Sequence, residues 1–389
     1  MPAFERQEFV SRIDKARSRM AELGMDLMWV TCPANINYLC GYDAWSFYVH
    51  QGLLVSAHAP DPVWIGRKID LSCVHATTYL RDDQVRGYGD SYLVPPAHAM
   101  QFVADVILEH GWERAVIGVE MDTHYFTALA FETLRGSLPQ CRFVDADRLV
   151  NWLRIRKSGQ EIRYMLEAGR VTDGAMRAGI EAIAPGVRQC DVAAAVYGAL
   201  ISGPDGLWGD VPDYQTMPKG ALTGAPHLTW TAEPYRSGEA CTLELGANRF
   251  RYHAPLARTV HVGKPKRKLV ELAEIVGEGL DAALAAVKPG VTCEDVEAAW
   301  RRSIGRYGLT KESRIGYSVG IGYPPDWGER TASLMPGDET ALDENMTCHL
   351  MLGIWEHNGG YEISETFRVT SLGFECLSSI PRELIVLHG

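Results

Sequence analysis

The chain has 389 residues, enough for more than one core, since single hydrophobic cores stop growing near ~250–300 residues. Acidic side chains outnumber basic ones, 49 to 38, for a formal net charge of −11, and the lysine-rich run at 264–268 is short, so no nucleic-acid footprint is expected. No apolar run approaches the ~20 residues of a membrane span. The charged amphipathic start, MPAFERQEFVSRIDKARSRMAELGM, lacks the apolar stretch and small-residue cleavage site of a signal peptide. The expectation is a cytoplasmic protein without a membrane partner.

Along the first ~150 residues helical patterns alternate with short apolar strands. Segments 26–31 (DLMWVT), Gly52–Ser56 (GLLVS), 62–65 (PVWI) and 115–119 (AVIGV) read as strands, and Ala99–Glu109 as a helix. That alternation predicts one α/β domain. A polar stretch at 154–161 (RIRKSGQE) places the domain boundary there, giving expected domains 1–155 and 156–389. Beyond it an internal repeat appears. Pro185-Gly186-Val187 followed by Asp191-Val192 recurs as Pro289-Gly290-Val291 followed by Asp295-Val296, each after a long helical pattern (162–183 and 268–287). The aspartates are expected as N-caps or first-turn acids. Each helix pair leads into a Gly-rich β segment, so the overall expectation is an α+β chain. Its second domain would be two αα-β halves related by duplication, with the active site between them. The bland alternative is that such a turn is a common way to link helices; the shared offset of the preceding helix favours duplication.

Nine cysteines are scattered without a CxxC pair, which suits reduced thiols better than a disulfide framework or a zinc site.

The most informative segment is 241–260, CTLELGANRFRYHAPLARTV. It resembles the strand motif of the creatinase/prolidase (pita-bread) superfamily, whose metal-dependent members carry D-x-G, then Y, then D, then R-T at fixed spacing. Glu244, Gly246, Tyr252, Arg258 and Thr259 fall on that spacing, but the second metal-binding Asp is Pro255, which offers no donor. The resemblance puts Tyr317 (in Gly316-Tyr317-Ser318-Val319-Gly320) where the ligand histidine stands, Met351 (in Met351-Leu352-Gly353) where the next carboxylate stands, and Ser364 where the last glutamate stands, with Glu362 and Glu365 beside it. One of five ligands survives as a carboxylate, so no metal and no other cofactor is expected. A frame kept while its metals are lost resembles creatinase, and His227 falls where creatinase and prolidase place an active-site histidine. Creatinase differs in having a glutamate where this chain has Ala257, and in lacking the acid that Glu244 supplies.

Stretches 35–51 (NINYLCGYDAWSFYVHQ), 251–259 (RYHAPLART) and 322–330 (GYPPDWGER) resemble the ectoine hydrolases within that superfamily, with further likeness at 227–230 and 362–369. The likeness spans both domains. It implies a creatinase-like N-terminal domain, a pita-bread catalytic domain, and ring opening of ectoine, with hydroxyectoine as a possible co-substrate, to N-acetyl-2,4-diaminobutyrate. The substrate is a small zwitterion. Its amidinium suits aromatic faces, each cation–π contact contributing ~0.5–2 kcal/mol, and Trp45, Phe47, Tyr48, Tyr252, Tyr317, Tyr323 and Trp355 lie within the motif stretches; Trp327 lies there too. Arg330 resembles creatinase's carboxylate-binding arginine. Glu244 is expected to carry out or activate the attack, His227 to protonate the departing nitrogen, and Glu362 and Glu365 to pair with the amidinium or complete a proton relay. Family likeness also implies a homodimer whose sites are completed by the partner's N-terminal domain, and a downstream deacetylase.

Each assignment has a plainer competitor. A glutamate in an apolar strand is rare unless paired; His227 could be a surface loop residue, Glu362 and Glu365 a solvated strand face, Arg258 an ion-pair partner, and the aromatics at 45–48 core. Tyr252 lies an even number of residues from Glu244, which suggests one shared sheet face. Rival functions are a prolidase- or aminopeptidase P-like metallopeptidase, a creatinase-like amidinohydrolase on another zwitterion, and a non-catalytic binding module on a decayed peptidase frame.

Overall fold

The computed structural model describes residues 3–146 and 148–388, and the chain divides between Arg154 and Ile155 into two compact units.

In the first unit, strands β1 (Leu27–Val30), β2 (Gly52–Ser56), β3 (Val63–Arg67), β4 (Val85–Tyr88), β5 (Val116–Val119) and β6 (Arg142–Asp145) form a mixed sheet ordered β4-β3-β2-β1-β5-β6. The four segments read as strands are the inner ones. The edge strands β4 (VRGY) and β6 (RFVD) escaped notice because they are only partly buried and carry no apolar run. Helices α1 (Arg6–Glu22), α2 (Pro33–Cys40), α3 (Leu71–Thr77), α4 (Ala99–Glu109), α5 (Ala128–Ser137) and α6 (Leu149–Leu153) complete the unit. The start of α2 has no side-chain cap of its own. Buried Glu120 takes that part, accepting from the Thr31 and Cys32 backbone N–H groups at 2.6 and 2.7 Å.

The second unit begins with α7 (Gly159–Ala182) and α8 (Gln189–Ser202), then strands β7 (Ala240–Arg249) and β8 (Tyr252–Val262). The pattern repeats with α9 (Arg267–Ala286), α10 (Cys293–Gly305), and strands β9 (Gly316–Tyr323), β10 (Asp326–Leu334), β11 (Thr347–Glu356) and β12 (Gly359–Thr370), followed by β13 (Gly373–Cys376) and β14 (Ile385–Leu387). The sheet runs β13-β12-β11-β9-β8-β14, with β7 on β8 and β10 on β9. Each half has its own core: α7 and α8 pack on β7 and β8, and α9 and α10 on β10 to β12.

The repeated turns are built alike, which supports duplication over coincidence. Gly186 and Gly290 both take left-handed backbone, φ +87° and +86°. Gly186 N–H donates to Tyr235 O (2.9 Å) while Tyr235 N–H donates to Val187 O (2.8 Å). In the second copy Gly290 N–H donates to Leu342 O and Leu342 N–H to Val291 O, both 2.8 Å. The aspartates are first-turn acids rather than N-caps. Asp295 closes a capping box with Thr292, and Asp191 pairs with Arg188, the residue in the N-cap position, at 2.6 Å. No described helix is long and apolar enough to cross a membrane.

Candidate active site

Strand parity decides which side chains can meet. The β7–β8 hairpin turns through Phe250 and Arg251, both with positive φ, and pairs Arg249 with Tyr252 and Glu244 with Ala257. Cross-strand partners share a face, so even-numbered residues of β7 face the same way as odd-numbered residues of β8. Leu243, Leu245, Leu256 and Val260 enter the core against α7 and α8. Thr242, Glu244, Ala257 and Thr259 face the opposite side. On β12, Ile363 and Phe367 join the other core, leaving Glu362 and Ser364 on the side of Glu244.

That side opens into a cavity of about 460 Å³ whose wall includes Glu244, His227, Tyr317 and Trp355. Glu244 is buried; its Oε2 accepts from Thr216 Oγ1 at 3.0 Å, and burial pushes its carboxyl up to about 7 against that bond's downward pull. The folded chain thus holds a proton that the unfolded chain releases. Glu244 should make stability fall as pH rises from the ordinary glutamate range to about 7, measurable by urea melts across that window. Glu362 is raised well above its ordinary value, first by burial and then by the charge of Glu244. Its Oε2 accepts from Trp355 Nε1 at 3.3 Å, while Oε1 is buried with no hydrogen-bond partner among the described residues. Lys311 lies 4.2 Å over the Trp355 ring, its amine pulled down to about 8 by burial although Glu362 opposes this.

Tyr317 OH accepts from Trp327 Nε1 at 2.9 Å and lies 3.2 Å from His349 Nδ1; His349 Nε2 lies 2.8 Å from Ser364 Oγ, which accepts from Ala257 N–H at 2.6 Å. Glycines make room for the two indoles. A Cβ on Gly246 would come within 2.9 Å of the Trp327 ring, and one on Gly353 within 2.5 Å of the Trp355 ring. Tyr214 and Trp327, both on the cavity wall, present near-parallel rings (8°) with centroids 6.4 Å apart. Asp213 is fixed at the wall by buried His253, whose Nε2 is 3.0 Å from its carboxylate.

Residues 163–371 match the model of metallopeptidase family M24, and residues 12–156 that of the creatinase/prolidase N-terminal domain. The chain belongs to the creatinase/prolidase superfamily. It is a hydrolase of that superfamily, 41% identical over 392 aligned residues to ectoine hydrolase of Halomonas elongata, with 98% of each chain covered. It is 45% identical over 387 residues to the uncharacterized hydrolase/peptidase y4tM of Sinorhizobium fredii, again with 98% of each covered. A solved prolidase from Thermococcus sibiricus shares the fold, with TM-score 0.85 at 21% identity, covering 97% of this chain and 98% of that one.

Within the superfamily frame, Glu244, Tyr317 and Met351 line the cavity, Ser364 lies behind His349, and Pro255 pairs with Gly246 on the neighbouring strand. The cavity therefore gathers Glu244, His227, Tyr317 and Trp355, with Glu362 against the Trp355 indole. Other expected site residues lie elsewhere. Glu365, three positions from Glu362, faces the opposite side of β12 and forms a buried 2.5 Å ion pair with Arg258, so it is not part of the cavity. Tyr252 also faces the helices and donates to Glu161 Oε1 at 2.7 Å; the odd pairing offset across the hairpin reverses the parity that seemed to join it to Glu244. Tyr323 sits at the far end of β9 with the Arg251 guanidinium 4.7 Å from its ring centre. Arg330, at φ +57° in β10, does not line the cavity; the guanidinium there is that of Arg314, 4.3 Å from the Tyr317 ring centre. Trp45, Phe47 and Tyr48 belong to the first unit, with Trp45 and Tyr48 54% and 71% exposed.

Arg314, Tyr214, Asp213 and His349 were not legible as site residues, whereas Trp327 was legible as one of the motif-stretch aromatics suited to an amidinium. A basic residue three positions before Tyr317 was the available sign for Arg314. For His349, two positions before Met351 on the same strand face, the available sign was strand period.

Proposed function

We propose that this hydrolase opens the ring of ectoine, a cyclic amidinium zwitterion, to N-acetyl-2,4-diaminobutyrate without a metal ion, and acts likewise on hydroxyectoine. The observation that carries the reading is the pair of buried carboxylates, Glu244 and Glu362, beside a small aromatic-walled cavity. Its volume, about 460 Å³, is at the small end of ligand pockets and suits a single-ring substrate. The rings of Tyr214, Trp327 and Trp355 offer faces to an amidinium. Glu362 Oε1, without a hydrogen-bond partner among the described residues, is an acceptor for its N–H, and Arg314 offers a fork for its carboxylate.

Glu244 is ionised above about 7 and directs attack at the amidine carbon, either itself or by taking a proton from water. A C–O bond forms and a tetrahedral centre results. His227 at the cavity rim donates a proton to the departing ring nitrogen as the C–N bond breaks. Where Glu244 activates water, this adds water across that bond directly. Where Glu244 itself attacks, a water molecule then displaces the Glu244 oxygen from that carbon and restores the carboxylate; either way the products are an amide and a free amine. An acetamide product calls in turn for a deacetylase.

The superfamily's usual metals do not fit these residues. Pro255 has no donor, Met351 offers only a soft thioether, and the Ser364 hydroxyl is engaged by Ala257 N–H and His349. Of the five ligand positions of the superfamily motif only Glu244 keeps a carboxylate, so no step runs through a metal.

The acid limb of kcat/KM should lie near the Glu244 value, activity rising with pH through about 7. Thr216→Val removes the hydrogen bond that lowers that value, so its limb should move to higher pH; an unmoved limb would assign the titration to another group.

We also propose a homodimer in which the loop at 45–48 completes the partner's site, a reading supported by superfamily likeness and by the exposure of Trp45 and Tyr48. Light scattering should give twice the 43.0 kDa chain mass. Trp45→Ala should raise KM about 2- to 30-fold, the range of one cation–π contact. A monomer at assay concentration, or an unchanged KM, contradicts it. A panel of ectoine, hydroxyectoine, creatine and an Xaa-Pro dipeptide, with products identified by NMR, tests the substrate assignment. Turnover confined to creatine or the dipeptide would overturn it.

A further inference from the structure

We infer that His349 is a positioning residue that holds the Tyr317 hydroxyl as a hydrogen-bond donor into the cavity. The catalytic consequence rests on the proposed reaction; the direction of the hydrogen bonds does not.

The protons along one closed hydrogen-bonded chain fix its direction. At one end, Ala257 N–H donates to Ser364 Oγ at 2.6 Å; at the other, Trp327 Nε1–H donates to Tyr317 OH at 2.9 Å. Neither donor can reverse, because a backbone amide and an indole have no acceptor on that nitrogen. Between them lies His349, with Nδ1 3.2 Å from Tyr317 OH and Nε2 2.8 Å from Ser364 Oγ. Burial, and then the Arg314 charge, hold this imidazole down to about 3, so it is neutral and carries a single N–H.

Two arrangements are possible. If the proton is on Nε2, His349 donates to Ser364 and accepts from Tyr317. Ser364 then holds a hydroxyl proton with no acceptor among the described residues, although its side chain is fully buried. An unsatisfied buried donor is the costly case. If the proton is on Nδ1, Ser364 donates to Nε2 and His349 donates to Tyr317. Tyr317 oxygen then accepts from both Trp327 and His349, and its own proton has one direction left, the cavity that Tyr317 lines. Only in this second arrangement does every donor of the chain that is shut away from the cavity have an acceptor. Glu244 lines the same cavity, and its negative charge raises the Tyr317 hydroxyl further after burial. Held toward that cavity, the hydroxyl proton orients the incoming oxygen. Two members of the chain, Tyr317 and Ser364, stand where metal-dependent members of the superfamily carry ligands, and here they serve a fixed donor instead.

The decisive experiment reads the tautomer in the free protein. Long-range 1H–15N spectra of histidine-labelled wild-type protein, with the His349 signals assigned by their loss in His349→Asn, should show the Nδ1–H tautomer. An Nε2–H tautomer overturns the inference whatever the substrate proves to be. In ectoine turnover, His349→Asn, whose amide N–H replaces Nδ1–H, should keep kcat within about fivefold. His349→Leu and Tyr317→Phe should each lose about 10²-fold in kcat, the usual effect of one lost preorganised donor, with KM within about twofold. Equal kcat in the Asn and Leu variants overturns the positioning role. Absence of ectoine turnover in the wild-type protein would overturn the proposed reaction and leave the tautomer result standing.

Discussion

Replacing Glu244 with glutamine is expected to lower kcat by about 10³-fold or more while leaving the substrate Kd nearly unchanged. The amide keeps the volume of the carboxylate and can still accept from Thr216 Oγ1, so the strand pairing and cavity wall are undisturbed. What is lost is the ability to take a proton or attack carbon. Stopped-flow binding and steady-state turnover separate the two effects. A variant that turns over at near wild-type rate would remove Glu244 from the reaction; one that fails to bind would make it an amidinium partner instead. Glu362→Gln tests the second carboxylate. It leaves the Trp355 indole N–H with an acceptor and should reduce kcat less than Glu244→Gln.

The largest expected loss of stability is at a residue the reaction does not use. Arg258 is wholly buried; its Nη2 is 2.5 Å from Glu365 Oε1 and 2.7 Å from Ile380 O, and its Nη1 is 2.7 Å from Ser364 O. Arg258→Met leaves the Glu365 carboxylate buried without its counter-ion, which costs about 3–5 kcal/mol. Burial already raises Glu365 against the pull of Arg258, so the variant should meet part of that cost by keeping Glu365 protonated, and its deficit should shrink as pH falls. Adding Glu365→Leu should recover most of the loss, since an apolar pair of similar volume avoids the desolvation penalty. Urea unfolding of the single and double variants checks this. A double variant no more stable than Arg258→Met would show that the pair is needed for its backbone contacts rather than its charge balance.

Much of the fold was legible in local pattern. Inner strands of the first unit announce themselves as apolar runs, and the Pro-Gly-Val turns mark the duplication, because each half must restart a helix over its own core. Edge strands such as Arg142–Asp145 were not legible, since an edge needs no apolar run. For the site, residue identity was legible where it departed from the superfamily motif, as at Glu244 and Tyr317. Facing was harder to read. Glu362 and Glu365 look alike as neighbours in sequence, yet an odd separation sends one against the Trp355 indole on the Glu244 side and the other into an ion pair with Arg258. Tyr252 misled because the parity that holds along a strand reverses across a hairpin with an odd pairing sum. His349 and Arg314 gain meaning only from the register that sets Tyr317 opposite His349, and that register depends on strands distant in sequence.

Metal-free hydrolysis of ectoine, as proposed, can be checked by stripping the purified protein with chelator, verifying metal content by elemental analysis, and following ectoine by proton NMR. The expected result is undiminished conversion to N-acetyl-2,4-diaminobutyrate and no gain on adding manganese, cobalt or zinc. Loss of turnover on stripping, restored by about two metal ions per chain, would contradict it.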